Sequence, residues 1–382
     1  MKIGIVGLGG IFETAYWPAF HQFQIEHSDK PIQLVGYDLK YSDLKHSEHT
    51  SNSQFPNLSF TTSYQDLLSF DLDLLLILTP PDTHYCLLVE ALQSDIASIV
   101  IEKPVVANLE QLSQLRPLLQ NPAYATRVLA LDHWSGRDGI QSLLSGDLDS
   151  SWELQIDDSS GKTIPSIKSV DVQDIVKVEG HLLEPCGLNQ QGEPIALNFA
   201  TGLEDSRQFF HPEGVILDIG THVLTMVREC LACIITEAKV SDYRLQLQAK
   251  VARDRLGHDI FFGDFKTAEG EAVLEGHYGP VKLMLHLNKY AGLKGGQKGM
   301  TVHLSDGRNF TLDRKGSDDL MIYNDGVDTW QWVRYGALYQ HTIFELLLSL
   351  PLEGDIIAAM TSRRMDEVES LLNIQQGLRG KH

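Results

Sequence analysis

Five short runs set the frame of this chain: Lys2–Val6, Ile32–Asp38, Leu72–Leu78, Ser98–Glu102 and Arg127–Asp132. Several are apolar without a break, where a strand with one wet face would alternate. Such runs suit parallel strands covered on both sides. Helix-length stretches lie between them, among them Asp82–Ser94 and Asn108–Gln120, with Asp82 and Asn108 as expected N-caps. Strands alternating with helices predict an α/β domain with a doubly wound parallel sheet over residues 1–131. The polar stretch Tyr41–Phe55 interrupts the pattern and is expected to be a short helix or a surface loop.

Beyond residue 132 the pattern changes. Strand-like segments follow one another: Ser151–Asp157, Val176–Glu184, Ala238–Val251, His258–Phe265 and Val281–Tyr290. "TAEGEA" and "LSDGRN" have the composition of hairpin turns. One strong helix is expected over Gly214–Ala232, and two more, Leu338–Leu350 and Ile356–Gln375, close the chain. Residues 132–382 are therefore expected to form an α+β domain with a large open mixed or antiparallel sheet, its last helices free to pack back on the first domain.

The formal net charge is −20, which argues against binding nucleic acid or anionic membranes through bulk electrostatics. No apolar run is long enough to span a bilayer, and the glycine-rich N-terminus leads into no small-residue cleavage site. The expected location is cytoplasmic. Four cysteines, Cys86, Cys186, Cys230 and Cys233, make no disulfide framework. Cys230 and Cys233 lie in an apolar helical stretch with no second pair or His cluster to complete a metal set, so no metal is expected.

Candidate chemistry begins at the turn after the first strand, Gly7-Leu8-Gly9-Gly10-Ile11-Phe12. Glycine is needed where a backbone turns sharply and where a side chain would collide with a pyrophosphate. The amides of the following helix then face the anion. Asp38 ends the second strand, where a carboxylate accepts hydrogen bonds from ribose hydroxyls and repels a 2′-phosphate. NAD is the expected cofactor, with NADP possible because Lys40 offsets the repulsion. Thr79, Pro80, Pro81 and His84 follow the strand Leu72–Leu78, and Glu102 and Lys103 end the next one. A lysine held there by Pro104 can stabilise an alkoxide. Asp218 and His222 are four residues apart on an apolar helix, expected to share a face. Histidine titrates near neutrality and suits proton exchange with an alcohol. His133, Trp134 and Arg207 are candidate substrate contacts, with His181 and His211 weaker.

Taken together, "GIVGLGGIFETAYWPAF", "TPPDTHY", "IEKPVV" and "GVILDIGTHVL" resemble the glucose–fructose oxidoreductase / inositol dehydrogenase / rhizopine-catabolism (Gfo/Idh/MocA) family, in order and at roughly its spacing. The resemblance implies a Rossmann domain followed by an α/β domain whose open sheet serves as oligomer interface, hence a homodimer or homotetramer. It implies NAD(P)-dependent hydride transfer to or from a sugar, polyol or related hydroxy or keto compound. Carried over, Lys103 assists proton transfer, His222 is the acid/base, Asp218 orients it or binds substrate, and Thr79-Pro80-Pro81 lies on the nicotinamide side. "LDHWSG" and "VEGHLLEPCGL" resemble glucose-6-phosphate dehydrogenase more faintly, which would put Asp132 and His133 near a sugar phosphate.

One departure stands out: Phe12 occupies a position where the family has Ala or Gly. The expectation is a ring turned into the core, with the loop still served by Gly7, Gly9 and Gly10. Two rival functions remain on the sequence alone: a dinucleotide- and sugar-binding regulatory sensor without turnover, and an NAD-retaining epimerase or glycosidase.

Overall fold

The computed structural model of the chain describes residues 1–41, 55, 57–145, 148, 150–155, 170, 172–197, 202–205, 209–234 and 243–380. Most of the polar stretch Tyr41–Phe55 lies outside them, as does Arg207. The chain divides into two compact units, Met1–Asp132 with Tyr339–Val368, and His133–Leu338 with Glu369–His382. Among the described residues no helix is long and apolar enough to cross a membrane.

The first unit holds six strands: β1 (Lys2–Val6), β2 (Gln33–Tyr37), β3 (Leu58–Phe60), β4 (Leu74–Ile77), β5 (Ile99–Glu102) and β6 (Val128–Leu131). All neighbours pair in parallel, in the order β3-β2-β1-β4-β5-β6. This is the doubly wound order, which reverses direction between β1 and β4. Every residue of β4, β5 and β6 is buried, as their unbroken apolar runs require. The helix that follows β1 carries Phe12, Tyr16, Phe20 and Phe23 into one core with Ile3, Ile5 and Leu76. Asn108 caps its helix, Oδ1 accepting from the Gln111 amide at 2.9 Å. Asp82 does not: the helix Pro81–Ala91 starts a residue earlier, with Pro80 at the cap. A proline at the first helical position lacks only an N–H that had no partner there.

In the second unit a nine-stranded open sheet runs β11-β12-β13-β8-β14-β15-β16-β17-β7. Its members are β7 (Trp152–Gln155), β8 (Ile175–Leu183), β11 (Leu245–Arg253), β12 (Glu271–Tyr278), β13 (Val281–Asn288), β14 (Lys298–Leu304), β15 (Asn309–Lys315), β16 (Asp318–Asn324) and β17 (Thr329–Arg334). A small hairpin, β9 (Cys186–Leu188) with β10 (Pro194–Ala196), stands apart. Only β8 and β13 pair in parallel; the other pairs of the large sheet are antiparallel. "LSDGRN" is the β14–β15 hairpin turn, as expected.

Three expectations fail here. His258–Phe265 makes only one bridge, Asp259 to Arg253, across a turn that Asp254 Oδ1 closes by accepting from the amides of Leu256 and His258 at 2.8 and 2.9 Å, and is irregular beyond it. "TAEGEA" consequently joins no hairpin: β12 begins inside it, at Glu271, and no strand precedes it there. The expected helix Gly214–Ala232 is also interrupted. Val215–Asp218 ends at Ile219 (φ −102°, ψ −18°), and a second segment runs Gly220–Ile234, with helix-weakening Gly220 at the break.

The helix Gly220–Ile234 lies against the sheet where β8 has Gly180. A Cβ on Gly180 would come 2.4 Å from Val223 Cγ1. That close approach is what sets the depth of His222, the residue before Val223.

Candidate active site

The turn leaving β1 stands at the switch point of the first sheet, where open α/β sheets bind ligands. Gly7 has φ +93°, and a Cβ there would lie 2.8 Å from the backbone of Leu78 and Thr79, just past β4. Glycine is therefore required twice over. Gly9 and Gly10 are exposed, and a Cβ on either would meet nothing within 4 Å. The helix starts at Gly10, and the amides of its first turn have no acceptor within the helix. Open space lined by backbone N–H groups is what a pyrophosphate fits, so these residues suit a dinucleotide.

Asp38 holds this loop. Its Oδ2 accepts from the Leu8 amide at 2.7 Å and its Oδ1 from the Lys40 amide at 2.9 Å. Leu8 itself is fully buried, so it shapes the turn and does not touch a cofactor with its side chain. Lys40 Nζ lies 3.8 Å from Glu13 in an exposed pair. Phe12 is fully buried, edge-on to Phe55 at 5.2 Å and 6.2 Å from Trp17. Its ring is in the core and leaves the glycine loop open. One turn of π-helix, Phe12–Tyr16, spreads the backbone at that point.

Thr79 follows β4, and Thr83 Oγ1 binds both its hydroxyl and the Pro80 carbonyl at 2.8 Å. His84 is fully buried beneath the turn, with Nδ1 2.8 Å from the Pro104 carbonyl and Nε2 2.7 Å from the Thr79 carbonyl. Burial pushes its pKa below the ordinary value, against the pull of the two carbonyls. Among the expected cofactor contacts His84 is thus a tie between two turns, with its ring out of reach of solvent. Glu102 is also buried. Its Oε1 accepts from Tyr16 Oη at 2.5 Å and its Oε2 from the Lys103 amide at 3.1 Å. Burial and the Glu102 charge push the Tyr16 phenol well above its usual range, so Tyr16 stays a donor. The carboxylate thereby fixes the backbone at Lys103, whose side chain is half-buried.

The second unit gathers its own polar group. Asp218 Oδ2 pairs with Lys289 Nζ at 2.5 Å, and that ammonium lies 4.2 Å from the centre of the Phe209 ring. Glu184, just past β8, is pushed toward its protonated form by burial; Lys289 and His222 oppose this and Asp218 reinforces it. His222 is 8% exposed, with the His133 ring edge-on at 4.6 Å and the Trp134 ring stacked at 5.6 Å and 20°. Trp134 is 5% exposed, so the expected substrate contact is spent on protein neighbours instead. His181 projects from β8 and stacks on His286 at 4.9 Å. Cys230 is buried.

Lys289 and Glu184 were not expected from the sequence. The available signal was position: each directly follows the end of a strand, β8 or β13, as Lys103 follows β5. Because β8 and β13 are parallel neighbours, with Leu183 beside Asn288, their carboxyl ends emerge together. Two successive helical segments thus present Asp218 and His222 to groups that can exchange protons and bind hydroxyls.

Residues 1–123 match the sequence model of the Gfo/Idh/MocA oxidoreductase family, described as an NAD-binding Rossmann fold. No curated protein sequence matches the chain. Solved structures do, over nearly their whole length. An oxidoreductase from Bacillus cereus is 13% identical, with 98% of this chain and 95% of that one covered and a TM-score of 0.62. A 3-ketoreductase, KijD10, from Actinomadura kijaniata, solved with NADP and TDP-benzene, is 14% identical, covering 99% and 98% at a TM-score of 0.59. UDP-N-acetylglucosamine 3-dehydrogenase GnnA from Acidithiobacillus ferrooxidans is 12% identical, covering 98% and 99%, also at 0.59. At these identities the likeness is one of fold. The family match rests on residues 1–123, within the first unit.

Proposed function

We propose that this protein moves a hydride between NAD(P) and a carbinol or keto carbon of a sugar, with nucleotide-linked sugars the first substrates to try. The observation that carries the reading is the grouping of His222, Asp218, Lys289 and Glu184 in the second unit. The last point draws on the 3-ketoreductase and the UDP-N-acetylglucosamine 3-dehydrogenase that share the fold.

When bound, the nicotinamide supplies or takes up the hydride. Gly7, Gly9, Gly10 and the following amides would hold the pyrophosphate, with Asp38 on the adenosine ribose. In the oxidative direction the His222 imidazole takes the hydroxyl proton, and in reduction it returns it. The Lys103 ammonium stabilises the developing negative oxygen. Asp218, charge-paired with Lys289, accepts from a neighbouring substrate hydroxyl. Asp38 favours NAD over NADP. The reading includes a cytoplasmic homodimer or homotetramer joined through the open face of the nine-stranded sheet.

The first test is a fluorescence titration with NADH and NADPH, followed by turnover on UDP-N-acetylglucosamine, a dTDP-hexose, free hexoses and inositol. Saturable NADH binding, weaker NADPH binding and turnover of a panel member are expected. His222→Ala should then lower kcat by roughly 10²- to 10⁴-fold, the range of a general acid/base. Binding of neither cofactor refutes the reading. Binding without turnover, beside a stable protein partner, favours a sensor, and cofactor that co-purifies and never leaves favours an NAD-retaining enzyme.

A further inference from the structure

The ring of His222 does not stand alone on its helix. It stacks on Trp134 at 5.6 Å and 20°, and the Arg137 guanidinium lies 4.6 Å from the centre of the same indole. Arg137 is 2% exposed and pinned from two strands: its Nε donates to Asp319 Oδ1 on β16 at 3.1 Å, and its Nη1 to the Lys298 carbonyl on β14 at 2.6 Å. Asp319 is itself fixed by Arg334 on β17, Nη2 to Oδ2 at 3.1 Å. Contacts therefore run without a gap from the middle of the large sheet to the candidate acid/base. His222, Trp134, Arg137, Asp319 and Arg334 are each nine-tenths buried or more.

We infer that Trp134 and Arg137 are positioning residues that fix the ring plane of His222 through this stack. The inference rests on the reading of His222 as acid/base. An aromatic ring over an imidazole restricts its rotation while offering neither nitrogen a competing donor or acceptor. A cation over an indole is held by the ring's quadrupole, so Arg137 in turn keeps Trp134 from tilting. Proton transfer tolerates little misplacement, and an error of about 1 Å can lower a rate by about 100-fold.

The test uses the full chain, Trp134→Leu and Trp134→Phe, Arg137→Gln and Arg137→Lys, and each leucine or glutamine variant combined with His222→Ala. On the sugar that the wild type turns over, Trp134→Leu is expected to lower kcat by about 100-fold, with KM and NADH affinity unchanged and Trp134→Phe restoring most of the rate. In the His222→Ala background the same change should cost nothing further. A spectroscopic arm needs no substrate. The His222 ring protons should show an indole ring-current shift in NMR, abolished in Trp134→Leu and reduced in Arg137→Gln, with Arg137→Lys between. It also decides the matter should Trp134→Leu not fold, since Arg137→Gln keeps the indole. A raised KM at unchanged kcat, a further loss on top of His222→Ala, or an unshifted His222 ring overturns the inference. Full turnover in His222→Ala instead removes the acid/base reading itself.

Discussion

Restoring the small residue that the Gfo/Idh/MocA pattern has at position 12 should damage this protein. Phe12 is fully buried, edge-on to Phe55 at 5.2 Å and within 6.2 Å of Trp17, in the core beneath the glycine loop. Removing a buried phenyl ring costs about 3–5 kcal/mol, because the lost apolar contact adds to the cavity left behind. The aromatic pairs account for about 0.5–1.5 kcal/mol each of what is lost. In a domain of this size each kcal/mol moves Tm by about 2–4 °C, so Phe12→Ala should melt roughly 6–20 °C lower. Phe12→Leu keeps most of the volume and should cost roughly 1–2 kcal/mol. Neither ring atoms nor their loss touch Gly9 or Gly10, so NADH affinity of the folded Leu variant should stay within about threefold, under about 0.7 kcal/mol. The assay is thermal unfolding followed by near-ultraviolet circular dichroism, paired with NADH titration at 25 °C. A Phe12→Ala variant that melts with the wild type, or binds NADH tighter, would show that the ring obstructs the cofactor and that the core assignment is wrong.

Three other outcomes follow from the second unit. Lys289→Met strips Asp218 of its ammonium and should lower kcat/KM by roughly 10- to 100-fold, the equivalent of about 1.5–3 kcal/mol for a charged hydrogen bond, while NADH titration stays as in the wild type. Glu184 has a raised folded pKa, so its unfolded form loses a proton first as pH rises, and stability falls through that window. Glu184→Gln removes the titration, so its Tm should gain on the wild type as pH climbs above about 4.5; parallel Tm–pH curves would refute this. His181 is held down to about 4 by burial and by His286. Its unfolded form takes up a proton first, so stability falls as pH drops from about 6.5 to about 4. His181→Gln should flatten that part of the Tm–pH curve, and an unchanged slope would assign the acid sensitivity elsewhere.

Legibility of the fold followed the physics of each segment. The first unit announced itself because a strand covered on both faces must be apolar throughout, and β4, β5 and β6 are. The second unit was harder. Strands β14 to β17 alternate polar and apolar residues in short pieces, and the clearest strand-like stretches did not include them. His258–Phe265 is rich in aromatic and apolar residues, yet it pairs with the end of β11 only at Asp259, across a turn that the Asp254 side chain closes on the His258 amide. At the site, Asp218 and His222 were visible because polar residues on an apolar helix need partners. Their partners were hidden: Lys289 and Glu184 meet only because β8 and β13 pair across a long stretch of intervening chain. The place of Trp134 after β6 suggests a substrate contact; its burial against His222 depends on a helix far along the chain.

Asp38 does two jobs with one carboxylate. The group proposed to read the adenosine ribose also anchors the Leu8 and Lys40 amides. On that proposal, evolution or an engineer cannot exchange cofactors by neutralising that side chain alone, since the same change releases the loop proposed to cradle the pyrophosphate. A route to the phosphorylated dinucleotide must first supply another acceptor for Leu8, or keep an Asn or Ser at position 38 that still takes its proton. The order of substitutions matters, and cofactor preference is more resistant to drift than one acidic residue would suggest.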